Sequence, residues 1–160
     1  PWNPLPLEVP TMSTRSLILK WFTRIVPPTV GSSPPAISLN SLSLRVGGTF
    51  LYSMRAADGS EMWGKWVFRE INAPDSMTVI VSFSDKDAGI TRHPMAPTWP
   101  LQNLSTMTME EKNGKTTVTV RWSAYEATKE EQDTFDAGHD SMKGGFTGTF
   151  DQLDAYIETI

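Results

Sequence analysis

The stretch that decides the fold runs from Lys129 to Ile157 and reads KEEQDTFDAGHDSMKGGFTGTFDQLDAYI. Its large apolar residues recur at spacings of three, four and seven, which places them on one stripe of an α-helix. They are Phe135, Met142, Phe146, Phe150, Leu153 and Ile157. An unbroken helix over this range would be about 40 Å long and would cross a small domain. Such a stripe needs an apolar surface to cover, which the rest of the chain must supply.

The glycines of this stretch argue against a perfectly regular helix. They are Gly138, Gly144, Gly145 and Gly148. Each costs about 1 kcal/mol relative to Ala, whereas burial of the apolar stripe contributes roughly 9 to 18 kcal/mol of gross transfer free energy. The helix is therefore predicted in spite of them. Because glycines thin the helix surface, we expect a gap or a kink at which a ligand has room.

The chain between Ser41 and Ala124 alternates apolar and polar residues, which predicts about six antiparallel strands. Asn113-Gly114 is the strongest hairpin signal, and it joins a strand with Met107 and Met109 to a strand with Val120. A run of strands followed by a long helix indicates an α+β fold. We expect the helix to lie across the concave face of a curved antiparallel sheet.

The hairpin around Asp58-Gly59 has two plausible registers. A two-residue turn there pairs Met54 with Trp63 and Phe50 with Val67, and this is the register that we predict. A slip by one residue would turn a different set toward the core. That set is Gly64, Trp66 and Phe68.

The first forty residues are rich in proline and have little regular pattern. Because proline lacks a backbone donor, residues 5–9 can form at most an edge strand. Ser13 or Thr14 is a suitable cap for a short helix through Arg15 to Phe22, which Pro27 and Pro28 stop. Residues 27–40 predict a loop or a broken second helix. We expect the next strand to begin with Leu42 and Leu44.

Composition excludes several classes of function. The chain has 160 residues, which predicts one domain over residues 1–160, and its net charge is −4. An acidic balance does not suit nucleic-acid binding, and no apolar run is long enough to span a membrane. Zero cysteines exclude disulfides and thiolate metal sites, and they fit a reducing compartment. We therefore expect a cytoplasmic protein that binds neither nucleic acid nor membrane.

Several short motifs occur in an order and spacing typical of one family. They are RVGGTF at 45–50, Asp58-Gly59, FREI at 68–71, PTWP at 97–100, NGKT at 113–116 and Gly145-Phe146. In them the sequence resembles the activator-of-heat-shock-ATPase-like (AHSA-type) family of the START-like (SRPBCC) superfamily, over residues 41–157. The resemblance implies the helix-grip fold, with one or two short N-terminal helices and a cavity that binds apolar ligands. Residues 1–40 diverge from the family pattern, because the tryptophan pair and the glycine expected after the first helix are missing.

The ligand-binding candidates are the side chains predicted to lie between the sheet and the helix. They are Phe50, Tyr52, Met54, Trp63, Met107, Met109, Val120, Trp122, Met142 and Phe146. These residues equally suit an ordinary filled core, and the sequence leaves that alternative open. The abundant methionine favours an adaptable cavity wall, and a buried Tyr52 hydroxyl could orient a ligand.

Signals for catalysis or a metal are weak. His93 and His139 are the only histidines, and neither has a companion motif of the kind that a catalytic triad needs. His139 has acidic neighbours on its predicted helix, but zinc sites usually need more histidine or cysteine ligands. Those neighbours are Glu131, Asp136 and Asp140. Gly47-Gly48 begins a strand and precedes no helix, so it does not resemble a phosphate loop. We predict no catalytic residue, no metal and no cofactor.

Three classes of function remain at this stage. We favour a binding module for a small hydrophobic or aromatic molecule. One alternative is a cyclase- or hydrolase-like enzyme that uses Tyr52 or His93 in the same cavity. The other is a co-chaperone-like interaction module for a heat-shock ATPase, which needs an exposed apolar or charged patch. The scaffold also admits a homodimer, and the sequence does not decide this.

Overall fold

The computed structural model describes residues 5–10, 36–55, 58–113 and 115–157. Within these ranges, eight strands form one antiparallel sheet. The strands are β1 (Leu5–Pro10), β2 (Ala36–Leu42), β3 (Thr49–Arg55), β4 (Glu61–Asn72), β5 (Ser76–Ser84), β6 (Ile90–Thr91), β7 (Asn103–Lys112) and β8 (Lys115–Ala124). Their order is β1-β8-β7-β5-β4-β3-β2, and the short β6 pairs with β5. The predicted α+β class, with an antiparallel sheet followed by C-terminal helical structure, is confirmed.

The three predictions for residues 1–40 have different outcomes. The edge strand is confirmed, because β1 pairs with β8 and has no further neighbour among the described strands. The short helix predicted up to Phe22 lies outside the described residues. The loop predicted over residues 27–40 is wrong at its C-terminal end, because β2 begins at Ala36.

A β-bulge explains why the start of β2 is not visible in the pattern. The pairing with β3 shifts between Leu39 and Ser41, so Asn40 is an extra residue. Its Nδ2 donates a hydrogen bond to the Ser38 carbonyl at 3.1 Å. A bulge inverts the apolar and polar alternation along a strand. Leu44, which was predicted to lie in this strand, is instead in the turn before β3.

The predicted register of β3 against β4 is wrong by one residue. Tyr52 faces Gly64 and Phe50 faces Trp66. Since successive side chains of a strand point to opposite faces, Trp63 lies on the other face from these residues. The inward-facing set of β4 is therefore the one that the alternative register selects.

The turn itself causes the shift. The Asp58 carboxylate accepts hydrogen bonds from the Ser60 N–H at 2.8 Å and from the Ser60 hydroxyl at 2.6 Å. This side-chain turn keeps both residues outside the ladder, whose last pair is Arg55 with Glu61. The connection is thus longer than the two-residue turn predicted at Asp58-Gly59.

Two helices replace the single predicted helix. They are α1 (Lys129–Ala137) and α2 (His139–Ile157). The break is at Gly138, where an added Cβ would lie 2.8 Å from the Trp99 ring. The gap or kink predicted in this stretch is thus a break between two helices at this glycine. The other three glycines, Gly144, Gly145 and Gly148, lie within α2, where they are exposed and face open space.

The inner face of the sheet and one side of α2 enclose the core. Its buried members are Phe50, Phe68, Met77, Val79, Val81, Met107, Met109, Val118, Val120 and Phe150. Of the predicted helical stripe, Phe135 and Phe150 are buried, and Met142 and Phe146 are half-buried. The side chains of residues 153 and 157 lie outside the described part. Across the described ranges, neither helix combines the length and the apolar character that a membrane crossing needs.

Candidate ligand-binding pocket

A pocket of about 620 Å³ lies where the inner face of the sheet meets the junction of α1 and α2. Apolar groups form most of its wall. The sheet contributes Tyr52, Met54, Gly64, Val81, Ser82, Phe83, Asn103 and Trp122, the segment after β6 contributes His93, Ala96 and Trp99, and the helices contribute Thr134, Ala137, Gly138, Ser141 and Met142. The pocket thus lies beside the filled core rather than within it.

Tyr52 occupies the β3 side of the pocket. Its ring stacks on Phe50 with centroids 5.0 Å apart and meets Trp66 edge-on at 6.4 Å. The ring lies across Gly64, where an added Cβ would overlap it. Burial raises the pKa of the Tyr52 hydroxyl, and the neighbouring Trp66 side chain opposes this in part. The hydroxyl therefore stays protonated at neutral pH and can act as a donor or an acceptor.

His93 and Trp99 form the part of the wall that follows β6. The His93 ring meets Phe83 edge-on at 4.6 Å, and Trp99 lies 6.1 Å from His93 and 5.5 Å from Phe135. The Nδ1 of His93 accepts the Met95 N–H at 3.0 Å. Burial lowers the pKa of His93, so the ring is neutral at pH 7 and its proton is on Nε2.

An ion pair fixes this wall to α1. Arg92 Nη1 donates to Glu131 Oε1 at 2.6 Å, to the Pro97 carbonyl at 3.2 Å and to the Trp99 carbonyl at 3.3 Å. Glu131 is 8% exposed, and its Oε2 accepts the Thr128 N–H at 2.9 Å. The same carboxylate therefore caps the helix and holds the segment that carries Trp99. The helix cap can be predicted from the sequence, because Thr128 and Glu131 have the spacing of a capping box.

The pH dependence of stability tests this ion pair. The Thr128 N–H and then the Arg92 guanidinium hold the pKa of Glu131 below its usual range. A carboxyl group with a lowered folded-state pKa stabilises the fold above its unfolded value of about 4.3, and this contribution is lost as the pH falls through the folded pKa. We expect Glu131→Gln to lower the Tm most near neutral pH, and the difference from wild type to narrow below about pH 4.

Glu130→Gln is the matched control, because Glu130 lies in the same first turn and is exposed. It removes the same charge near the helix N-terminus without touching Arg92. Thermal unfolding of wild type and the two variants between pH 3 and 8 separates the loss of the Arg92–Glu131 ion pair from the loss of a negative charge near the helix N-terminus. Equal Tm losses for both variants at every pH would contradict the role assigned to the ion pair.

Asn103 is a pocket residue that the sequence reasoning missed. It is the first residue of β7, it is 3% exposed, and its Oδ1 has no hydrogen-bond partner among the described residues. A signal for it exists, because Asn103 has the same alternation phase as Met107 and Met109, which are buried. A polar residue in that phase is expected to face inward.

The structure divides the ten predicted ligand-binding residues into three groups. Tyr52, Met54, Trp122 and Met142 line the pocket. Phe50, Met107, Met109 and Val120 belong to the filled core, against which Phe146 packs. Trp63 lies on the opposite face of the sheet because of the register shift. The pocket thus lies next to a filled core that contains several of the predicted residues.

The two histidines lie in different surroundings. His139 Nε2 lies 3.7 Å from Asp136 Oδ1, and its ring meets Phe135 edge-on at 5.6 Å. In the part of the chain that the structure describes, no group of three or more metal-binding side chains comes together. Of the two histidines, His93 alone lines the pocket.

Comparisons with known proteins identify relatives of this fold. The family model for "Activator of Hsp90 ATPase homolog 1-like protein" matches residues 13–158. None of the curated proteins matches the chain. Protein Ms6760 from Mycobacterium smegmatis has a crystal structure with a TM-score of 0.70 and 22% identity, over 96% of this chain and 88% of that one.

Two further solved structures are similar. A solution NMR structure of a protein from Arthrobacter aurescens has a TM-score of 0.72 and 23% identity, over 98% of this chain and 86% of that one. The crystal structure of protein CV1439 from Chromobacterium violaceum has a TM-score of 0.66 and 13% identity, over 97% of both chains. At these identities the likeness is one of fold.

Proposed function

The chain belongs to the family of Activator of Hsp90 ATPase homolog 1-like proteins, and from this premise we propose that it is a binding module for one small hydrophobic or aromatic molecule. The pocket of about 620 Å³ is the observation that carries the proposal. Small-molecule sites usually enclose roughly 300 to 1,000 Å³ and have apolar walls with a few polar groups. This pocket has both properties.

The aromatic side chains of the pocket favour flat ligands. Tyr52, Phe83, Trp99 and Trp122 all contribute to its wall. Aromatic rings attract one another in stacked or edge-on geometry beyond the gain from buried area. Methionines Met54 and Met142 add adaptable surface on either side. An aromatic or fused-ring molecule can use both kinds of contact.

Blocking the pocket entrance tests the proposal. Ser141 lines the pocket from α2 and is exposed, so Ser141→Trp places a large side chain at the entrance. We expect it to weaken binding of the uncharged probe N-phenyl-1-naphthylamine at least tenfold. The measurement is a fluorescence titration of the probe, after native mass spectrometry has established which small molecules the purified protein retains.

Ser123→Trp is the matched control. Ser123 is exposed on β8 and neighbours Trp122 in sequence, so it points to the face away from the pocket. We expect its probe affinity to equal that of wild type within a factor of about two. Equal affinity for Ser141→Trp and wild type would place the probe elsewhere. Absence of binding to wild type by this probe and a panel of apolar compounds would overturn the proposal.

An enzyme of cyclase or hydrolase type is the second candidate, because Tyr52 and His93 both line the pocket. Two features favour binding over catalysis. The Met95 N–H occupies the Nδ1 of His93, and no Asp or Glu occurs among the described residues that line the pocket. A general base normally needs a partner that orients it. Turnover of a bound compound that His93→Gln abolishes would favour the enzyme instead.

The co-chaperone hypothesis rests on the family description, which refers to an activator of the Hsp90 ATPase. The large apolar side chains exposed in the described part are Leu39, Leu44, Val46, Ile90, Met95 and Leu101. Exposed apolar residues are by themselves normal for a protein surface. The pocket therefore carries the proposed function, and an ATPase assay with purified Hsp90 tests the alternative.

A further inference from the structure

Asn103 Oδ1 is a buried acceptor that has no hydrogen-bond partner among the described residues. In the ladder, Asn103 lies between Val81 on β5 and Ala124 on β8. The residue is 3% exposed, and no hydrogen bond from a described residue reaches its Oδ1. Buried polar atoms in proteins are almost always hydrogen-bonded, so each exception requires an explanation. The explanation offered by this fold is the pocket, since Asn103 lines it.

The polar groups around the pocket differ in whether their donor and acceptor atoms already have hydrogen-bond partners. The Thr134 hydroxyl donates to the Thr98 hydroxyl at 3.0 Å. The Nδ1 of His93 accepts the Met95 N–H. Of the described residues that line the pocket, Asn103 alone has a buried side-chain atom without a hydrogen-bond partner. Because this Oδ1 has almost no accessible surface, a rotation of the Asn103 amide is needed to turn it toward a ligand. An acceptor of this kind requires a donor, which is a hydroxyl or an N–H group.

The charge of the wall limits the ligand further. The described residues that line the pocket include no Lys, Arg, Asp or Glu. His93 is neutral at pH 7 because its surroundings are apolar. A carboxylate or an ammonium group would lose its hydration here without gaining a counter-ion. The wall therefore suits an uncharged molecule.

From these observations we infer that the pocket selects uncharged aromatic or apolar molecules that carry a hydroxyl or N–H group, and that Asn103 Oδ1 accepts the hydrogen bond from that group. The inference rests on the proposed binding function and adds the requirement that the ligand carries a hydrogen-bond donor. A ligand without a donor leaves the Asn103 acceptor buried and unpaired. The resulting preference is expected to be about ten- to a hundredfold, because such an orphaned group costs as much in other proteins.

Three matched probes measure this preference. They are 4-phenylphenol, 4-methoxybiphenyl and biphenyl, which share one apolar frame and differ in the donor. The phenol donates a hydrogen bond, the ether only accepts one, and biphenyl does neither. Titration of the whole chain, followed by the fluorescence of Trp99 and Trp122 in the pocket wall, gives the three dissociation constants. We expect the phenol to bind at least tenfold more tightly than the ether.

Asn103→Leu tests the assigned atom. This substitution keeps the size of the side chain and removes its polar group, so we expect the phenol and the ether to bind with equal affinity. Biphenyl binding, which needs no donor, should be retained and shows that the pocket is intact. If Asn103→Leu fails to fold, the three dissociation constants measured on wild type still test the preference for a donor.

The outcomes separate this inference from the proposed function. Binding of all three probes to wild type with equal affinity would overturn the inference and leave the binding module standing. A preference for the phenol that persists in a folded Asn103→Leu would overturn the assignment to Asn103. Failure of every probe to bind wild type would count against both.

Discussion

Phe135→Ala is expected to destabilise the protein by about 3 to 5 kcal/mol, the usual cost of truncating a buried Phe. Phe135 is 2% exposed, and its ring lies 5.5 Å from Trp99 and 5.6 Å from His139. Truncation leaves a cavity under the Trp99 wall at the point where α1 ends. For a domain of this size, the expected loss corresponds to a fall in Tm of about 6 to 20 °C. Urea unfolding monitored by circular dichroism measures the free energy directly.

Phe146→Ala is the comparison, because Phe146 belongs to the same apolar stripe but is half-buried. Its ring meets Trp122 edge-on at 5.2 Å. We expect a smaller loss than for Phe135→Ala, since less area leaves the interior. A loss below about 1 kcal/mol for Phe135→Ala, or a larger loss for Phe146→Ala, would show that the Trp99 wall does not depend on this contact.

The wall has a second consequence for function. Trp99 packs on Phe135, and its carbonyl is held by Arg92, which in turn pairs with Glu131 of the same helix. A loose α1 therefore loosens one side of the pocket. Phe135→Ala should weaken binding of the uncharged probe even under conditions in which the variant is fully folded.

Local patterns predicted the parts of the fold that depend on nearby residues. The β7–β8 hairpin follows from Asn113-Gly114, because a two-residue turn with positive φ favours this pair, and Asn113 has φ +53°. The apolar stripe likewise predicted which helix positions become buried, since Phe135 and Phe150 are in the interior. Both signals lie within a few residues of the structure that they determine.

The predictions of strand register and of element boundaries were wrong where a side chain or a distant contact overrides the local sequence pattern. Asp58 holds Ser60 in a turn and moves the β3–β4 register by one residue. Asn40 forms a bulge that hides the start of β2. Gly138 ends α1 next to Trp99, which is 39 positions earlier in the sequence. No pattern of spacing contains these contacts, because each depends on the folded surroundings.

The candidate site shows the same division. Alternation placed Tyr52, Met54 and Trp122 toward the helix, and all three line the pocket. Whether the space around them is filled depends on how α1 and α2 pack, which the sequence does not specify. The sequence does not single out Asn103, because it does not show whether a buried polar residue finds hydrogen-bond partners within the fold. Only the structure shows that its acceptor has none among the described residues.

Gly64→Ala is expected to cost about 1 to 3 kcal/mol, the usual range for overpacking a fitted site. In a strand, Ala normally stabilises relative to Gly by roughly 0.5 to 1 kcal/mol. Here an added Cβ would overlap the Tyr52 ring, which lies across Gly64 in the ladder. The ring would have to leave its stack on Phe50 and move toward the pocket. We therefore expect lower stability together with weaker probe binding.

A double-mutant cycle with Tyr52→Ala identifies the cause. Once the ring is removed, the space over Gly64 is free, so Gly64→Ala in that background should be neutral or stabilising by roughly 0.5 to 1 kcal/mol. The two substitutions should then be non-additive by at least about 1 kcal/mol, whereas independent sites add within about 0.3 to 0.5 kcal/mol. Urea unfolding of the four proteins gives the coupling energy. Additive losses would mean that the Tyr52 ring does not lie over Gly64, and the β3 wall of the pocket would then need a different description. A strong coupling with restored stability in the double variant would instead show that Gly64 is glycine because Tyr52 must lie flat against the sheet, which keeps the pocket open.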